Sequence, residues 1–369
     1  MKKYKFSISD YHLFFIILGI LCFSLVILYS ATYQKISIGF AADYWNKQLT
    51  WMIIGIFAML FVGSMDYRKL GSIVWGIYFF NILLLVLVFL IGKKIYGAQR
   101  WISIGGFSLQ PSELMKLTVI ITLSWYLYRR EHIKWGLSKL FVSGLIVLFP
   151  MAMILKQPDL GTSLVLMPIY FSIVFISGIP IKYLITIFCA GIVSSPLAWM
   201  MLKGYQKSRI MVFLNPQNDQ FGAGWTVIQS KIAIGSGKFA GKGLLKGTQT
   251  QLNFLPEHHT DFIFSVIGEE LGFLGVVFII GLYFLLVARS LHIAKQSRDS
   301  FGAYLITGVI AMISFHIMVN IGMTFGFMPA TGLPLPLVSY GGSSILSIMT
   351  ALGIVFSVRK RGRYNTIKN

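Results

Sequence analysis

YHLFFIILGILCFSLVILYS, residues 11–30, runs for twenty residues without an Asp, Glu, Lys or Arg. A helix of that length rises about 30 Å, the thickness of a bilayer's hydrocarbon core. Lys2, Lys3 and Lys5 precede it and Ser30-Ala31-Thr32-Tyr33 follows it. The flanks resemble a secretory leader, but the run is long and no small-x-small cleavage site follows. It reads as an uncleaved first membrane helix. The rest of the chain has the same character. Of 369 residues, 56% are apolar and 12% charged, about half the charge of an ordinary soluble protein. Such a surface needs a bilayer as its main solvent, and the high apolar content excludes disorder. The two cysteines, Cys22 and Cys189, both lie in apolar runs, so no disulfide framework or Cys-based metal site is present.

Further apolar segments fall near 46–64, 71–92, 111–128, 140–156, 162–178, 183–202, 262–289, 302–325 and 342–358. With the first they make about ten transmembrane helices, an all-α integral membrane protein with a single multi-pass domain over 1–369. Ten spans put both termini on one side. Eighteen Lys and Arg residues fall on that side and six on the short loops of the other. The positive-inside rule therefore predicts cytoplasmic termini. It also explains most of the net charge of +20 without nucleic acid. A long outer loop, 203–260, carries seven basic residues against Asp219 and Glu257. Most of the few acids lie toward the outer side, which is where chemistry is expected. No internal repeat of the kind many transporters carry is evident.

The stretch 235–247, GSGKFAGKGLLKG, looks at first like a phosphate loop. It is not a Walker motif, because Gly237 to Gly241 is one residue short and Lys242 is followed by Gly243. Its glycines with Lys238, Lys242 and Lys246 can hold a pyrophosphate or form a flexible basic loop at anionic headgroups. Upstream, Trp225, Ile228 and Ile232 share a helical face, which suits a helix at the membrane interface or one packed on the bundle. A carboxylate at membrane depth is expensive unless paired. Glu113, in Gln110-Pro111-Ser112-Glu113, can favour a helix start or pair with Lys116 one turn on. Asp159 can cap the next span. Asp261 sits where the long loop enters a span, with Glu269 about 12 Å deeper if the segment is helical. It can be a general base facing an outer cavity, or a cap together with Thr260. For Glu269 and Glu270, cationic partners are expected, with Lys116, Lys156 and Lys231 as candidates. His258 and His259 are adjacent and point apart on a helix, so they form no metal pair. Finally, Gly326-Phe327-Met328-Pro329-Ala330-Thr331-Gly332-Leu333-Pro334-Leu335-Pro336 cannot be a regular helix, so at membrane depth it must be buried in protein or line a wet cavity.

These pieces resemble the SEDS family (shape, elongation, division and sporulation), which includes RodA, FtsW and SpoVE. The hallmark runs from Asn320 through Gly326, Pro329, Gly332 and Pro336 to Ser339-Tyr340-Gly341-Gly342-Ser343-Ser344. Further matches are Arg100-Trp101, Gln110 to Glu113, Gln157-Pro158-Asp159-Leu160-Gly161-Thr162, Leu255-Pro256-Glu257, His259 to Phe264 and Glu269 to Gly272. Gly247-Thr248-Gln249 before Leu252 and Phe254 looks like the RodA branch, and the short termini agree. Ser103 stands where an Asp is common, and Met328 and Ala330-Thr331 replace bulkier aliphatics.

The resemblance implies a ten-span bundle with the large loop between spans seven and eight. It implies an inverting peptidoglycan glycosyltransferase that polymerises lipid II outside the bacterial inner membrane during elongation, beside a class B penicillin-binding protein and other elongation proteins. Asp261 takes the family's essential aspartate position, as general base. Arg100, Glu113, Lys116, Asp159, Arg209, Lys238, Lys242, Lys246, Glu257, His259 and Ser339 are candidates for substrate binding. Arg209, Lys238, Lys242 or Lys246 would steady the leaving pyrophosphate, with room for a divalent cation, Mg or Mn. A lipid II flippase is the competing reading. It needs charge compensation or proton coupling at Asp261 rather than a base at an outer reaction site.

Overall fold

The computed structural model describes residues 8–37, 42–95, 98–104, 107–201, 204–215, 219 and 222–362. Lys2, Lys3, Lys5, Lys203, Arg363 and Lys368 of the charge count lie outside the described residues. Helices α1 (Ile8–Ser37), α2 (Ala42–Ser64), α3 (Leu70–Ile91), α4 (Pro111–Arg129), α5 (Leu137–Lys156), α6 (Leu160–Ile176) and α7 (Ile181–Met201) come first. Shorter helices α8 (Gly204–Leu214), α9 (Ala223–Ser236) and α10 (Thr248–Gln251) occupy the long loop. Then come α11 (Ile263–Lys295), α12 (Ser300–Thr324) and α13 (Gly342–Gly362). Each of the ten predicted segments is helical, the only open-ended solution a bilayer allows, with α11 interrupted by a break.

Seven of these helices are long and apolar enough to cross a membrane, and α6 and the first part of α7 are shorter apolar helices. α4 is the hub: nearly every residue from Pro111 to Leu127 is buried, and α3, α5, α6, α12 and α13 pack on it. The outer ring turns Phe57, Phe61, Leu90 and Phe284 outward, as a lipid-facing surface should.

At one end, Arg68 pairs with Asp299 and Arg361 with Asp66, at 3.0 and 3.3 Å. This ties the α2–α3 turn to the α11–α12 turn and to the end of α13. Most of the described basic residues of the predicted cytoplasmic side belong to this end. The other end holds the long loop and, in the short 92–110 connection, a small sheet with no clear strand pattern in the sequence. Strands β1 (Lys93–Ile95), β2 (Ala98–Ile104) and β3 (Phe107–Leu109) form an antiparallel three-stranded sheet, with Lys94 opposite Gln99 and Ile102 opposite Leu109.

Two departures from helix organise this end. α11 breaks at Gly272 (φ 62°, ψ −156°). The glycine stretch of the long loop docks onto the break: Lys242 and Gly243 amides donate to Glu269 and Glu270 carbonyls at 3.0 and 2.9 Å, while Phe273 and Leu274 amides donate to Lys238 and Phe239 carbonyls at 3.0 and 3.2 Å. A Cβ at Gly237 or Gly241 would run into the α11 backbone. These glycines therefore serve close backbone approach, with the Gly241, Lys242 and Gly243 amides already engaged rather than free to cradle a ligand.

The second departure is the proline-rich segment between α12 and α13. Its carbonyls are taken up by side chains from four helices. Asn320 donates to Leu333 O at 2.8 Å, His316 to Pro334 O at 3.2 Å, Tyr283 to Pro336 O at 2.6 Å, Ser24 to Val338 O at 3.0 Å and Gln48 to Ser339 O at 3.2 Å. Proline brings no N–H that needs a partner. Irregular backbone can thus lie buried among the spans with its polar groups satisfied.

Candidate functional site

The loop–α11 junction builds the site. Glu257 adopts φ 49°, and its carbonyl accepts the amides of Thr260, Asp261 and Phe262 at 3.1–3.3 Å. This tight turn delivers Asp261 just before α11. The helix N-cap is Phe262, with no side-chain capping bond, so the Asp261 carboxylate is not consumed as a cap. The backbone around it is clamped from both sides. Asn320 donates to Asp261 O at 2.9 Å as well as to Leu333 O. Ser339 donates to Thr260 O at 2.5 Å and accepts from Leu335 N at 2.8 Å. Ser339 is buried with its proton committed, so its place here is structural positioning.

Gly332, at φ 77°, brings the proline-rich segment against the Asp261 carboxylate: an added Cβ would sit 3.3 Å from Oδ2. Gly332→Ala is therefore expected to cost about 1–2 kcal/mol from the left-handed backbone and to lower activity by pressing on the carboxylate. Thermal unfolding in detergent and turnover per folded molecule check the two effects separately. Asp261 is half-buried. Burial and the neighbouring Glu257 charge raise its pKa from the usual 3.8 to about 6, against the opposing pull of Arg209, the Thr260 hydroxyl and Arg100. The charges of Arg209 and Arg100 thus reach the carboxylate.

Arg100, on β2, bonds to Gln157 O at 3.3 Å and to Pro158 O, and faces Asp159 at 3.8 Å. Asp159 also accepts from Gln110 Nε2 at 2.9 Å and caps α6 through Thr162 N at 3.2 Å, so its capping role is confirmed and enlarged. Gly161 packs on Thr331 O, placing this whole motif beside the proline-rich segment. Arg209, on α8, lines a narrow depression with Gly326, Met328, Pro329 and Ala330. His259 packs against Tyr44 and Tyr340, the Tyr44 ring at 5.0 Å, while His258 turns to Leu255 and Ala31 carbonyls. The two rings nevertheless meet edge to face, their centroids 5.6 Å apart: residues 258 and 259 lie in a turn rather than a helix, so the expectation that they point apart is corrected.

The deeper acids have partners that sequence reading did not name. Glu269 pairs with Lys242 at 2.7 Å and accepts from Gln249 N and from Thr248 and Thr250 hydroxyls at 2.9–3.1 Å. The Gly247-Thr248-Gln249 motif wraps this carboxylate, and the Lys242 ammonium is engaged there rather than free for a ligand. Glu270 accepts from the Ser30 hydroxyl at 2.5 Å, not from a cation. Lys116, Lys156 and Lys231 are not the partners of either. Lys238 and Lys246 lie exposed on the long loop's surface.

Below the site, Lys116 pairs with Glu113 at 2.7 Å, both buried, as their spacing predicted. Lys116 also contacts His316 Nε2 at 3.0 Å, a residue that sequence reading passed over; a lone histidine in an apolar span was its signal. On α9, Val227, Ser230 and Ala233 face the bundle while Trp225 and Ile232 remain exposed. The apolar stripe is thus the outward face of a packed helix. A groove of about 770 Å³ between α6, α7 and α12, lined by Phe171, Phe175, Leu184, Phe315 and Met318, carries none of the candidate residues.

This arrangement has relatives. A probable peptidoglycan glycosyltransferase FtsW of Trichlorobacter lovleyi is 37% identical over 364 residues, covering 97% of this chain and 94% of that protein. A peptidoglycan glycosyltransferase RodA of Treponema pallidum is 34% identical, covering 95% and 98%. A solved chain described under structural coordination of polymerization and crosslinking by a peptidoglycan synthase complex superposes with a TM-score of 0.83 at 30% identity, covering 97% of this chain and 100% of that one. The family described as "Cell cycle protein", which unites FtsW, RodA and SpoVE, matches residues 11–364, and this multi-pass membrane protein belongs to it.

Proposed function

We propose that Asp261 is the general base of the peptidoglycan glycosyltransferase reaction of this chain, joining lipid II units into β-1,4-linked glycan strands during elongation. The observation that carries the reading is the Asp261 carboxylate at the loop–α11 junction, not used as a helix cap, on a backbone clamped by Asn320 and Ser339 and within reach of the Arg209 and Arg100 charges. Asp261 takes the proton from the 4-hydroxyl of the acceptor GlcNAc. That oxygen attacks the anomeric carbon of the donor MurNAc from the face opposite the leaving group. Undecaprenyl pyrophosphate departs and the α linkage becomes β, so no carboxylate nucleophile is needed.

A carboxylate held near 6 is more basic than an ordinary one, yet at pH 7 it is ionised by about tenfold over its acid form. Arg209 is the best placed of the four basic candidates to meet the pyrophosphate charge, with Arg100 also acting on the same carboxylate, since Lys242 is engaged by Glu269. Glu113 and Lys116 act from below as support.

The basic end of the bundle faces the cytoplasm and the site faces outward, in the bacterial cytoplasmic membrane. The resemblance of 247–249 favours the RodA branch. The likeness to a chain of a peptidoglycan synthase complex supports a class B penicillin-binding protein as partner.

The test is polymerisation of fluorescent lipid II by the purified protein with its transpeptidase, followed from acid to neutral pH. Protonation removes the base, so the rate rises as pH passes through about 6 and levels off above it. A rate flat through that window contradicts the assignment. Movement of lipid II between vesicle leaflets without polymer favours a flippase.

A further inference from the structure

His316 lies in α12, buried, and bridges the proline-rich segment and the hub helix α4. Its Nδ1 is 3.2 Å from Pro334 O. A carbonyl can only accept, so Nδ1 carries the proton and donates. Its Nε2 is 3.0 Å from the Lys116 ammonium, which can only donate, so Nε2 is the unprotonated nitrogen. The two contacts together fix one neutral tautomer, because a charged imidazole would turn an N–H on the ammonium. Lys116 is held in turn by Glu113 at 2.7 Å. Pro334 is two residues from Gly332, which abuts the Asp261 carboxylate, and one residue from Leu333, which shares Asn320 with Asp261.

We infer that His316 is a positioning residue for Asp261: its Nδ1–H holds the proline-rich segment that abuts the carboxylate, and the buried Glu113–Lys116 pair, through Nε2, fixes the tautomer that presents that N–H. The inference rests on Asp261 being the base. The chain of bonds runs from Glu113 through Lys116 and His316 to Pro334, and the segment it anchors forms one wall of the carboxylate's surroundings. The charged groups acting on Asp261 are Glu257 from the preceding turn, Arg209 from α8 and Arg100 from β2, with the Thr260 hydroxyl beside it. None of them contacts His316, so replacing His316 alters the wall and leaves those charges in place. A loosened wall admits water, and a hydrated carboxylate moves back toward its ordinary pKa.

The experiment compares His316→Ala, His316→Gln and His316→Asn with wild type in the full chain with its transpeptidase, using fluorescent lipid II and reading turnover per folded, monodisperse molecule. Asn keeps a side-chain N–H near the Nδ1 position and can still reach Pro334 O. Gln extends toward Lys116 and gives up Pro334. The expected results are a roughly 10- to 100-fold lower kcat with little change in KM for Ala and Gln, the scale of a misplaced reacting group. The acid limb of the pH–rate profile should shift below its wild-type position in both, with both properties largely restored in Asn. A purely structural role would lower the yield of folded protein and leave the limb in place. Ala with wild-type kcat and an unmoved limb overturns the inference, as does Asn behaving like Ala. If wild type shows the acid limb and Asp261→Asn removes activity while those results are seen, the inference fails alone. If wild type lacks the limb, the base assignment fails and takes this inference with it.

Discussion

Lys116→Met is expected to destabilise the bundle by about 3–5 kcal/mol, the effect of removing one member of a buried ion pair. The reasoning is local. Glu113 Oε1 has Lys116 at 2.7 Å, and Glu113 Oε2 is buried with no hydrogen-bond partner. Removing the ammonium leaves a carboxylate in the hub helix with nothing to balance it. The same substitution deprives His316 Nε2 of its donor. The double variant Glu113→Gln, Lys116→Met removes both charges and should recover most of the loss. Thermal unfolding of the detergent-purified proteins reads both values. A single variant as stable as wild type would show that the pair contributes little to holding α4 in place.

The ten helices were legible in the sequence because the bilayer leaves few options: a charge-free run of about twenty residues has to hide its backbone polar groups in a helix. The Glu113–Lys116 pair was legible for the same reason, since one helical turn brings i and i+3 together. The cap at Asp159 was legible because capping depends only on local sequence. What the sequence concealed was tertiary. Glu269 and Lys242 are 27 residues apart, brought together by glycines docking on a break in α11, so proximity along helices pointed to the wrong lysines. The same docking explains why the glycine stretch resembled a phosphate loop: both uses need glycine for close backbone approach.

The 93–109 sheet was missed because strands as short as three residues carry too little alternation to register. The proline-rich segment shows both cases at once. Its departure from helix could be read from Pro329, Pro334 and Pro336. The side chains that satisfy its carbonyls, Ser24, Gln48, Tyr283, His316 and Asn320, come from four helices spread across the chain. Ser24, Tyr283 and His316 stand in apolar runs, where nothing local shows which distant carbonyl each meets.

Asp261→Asn is expected to lower polymerisation by about 10²–10⁴-fold, the contribution of a positioned general base. The amide is nearly the same size and keeps the turn at Glu257 and the Asn320 clamp, which bonds the Asp261 carbonyl rather than its side chain. The variant should therefore fold and still bind lipid II, so the effect falls on kcat and not on KM. Neutralising a half-buried carboxylate also removes a desolvation penalty, so its unfolding temperature should be equal to wild type or slightly higher. Arg209→Ala is a useful contrast, since it removes a charge that acts on the same carboxylate while leaving the base in place.

The most direct measurement is glycan-chain formation from labelled lipid II by the purified Asp261→Asn protein, combined with its transpeptidase partner and compared with wild type at equal folded concentration. The account predicts that wild type yields polymer, and that the variant, folded and substrate-bound, yields at most about one part in a hundred of it. Polymer formed by the variant at the wild-type rate would contradict the account.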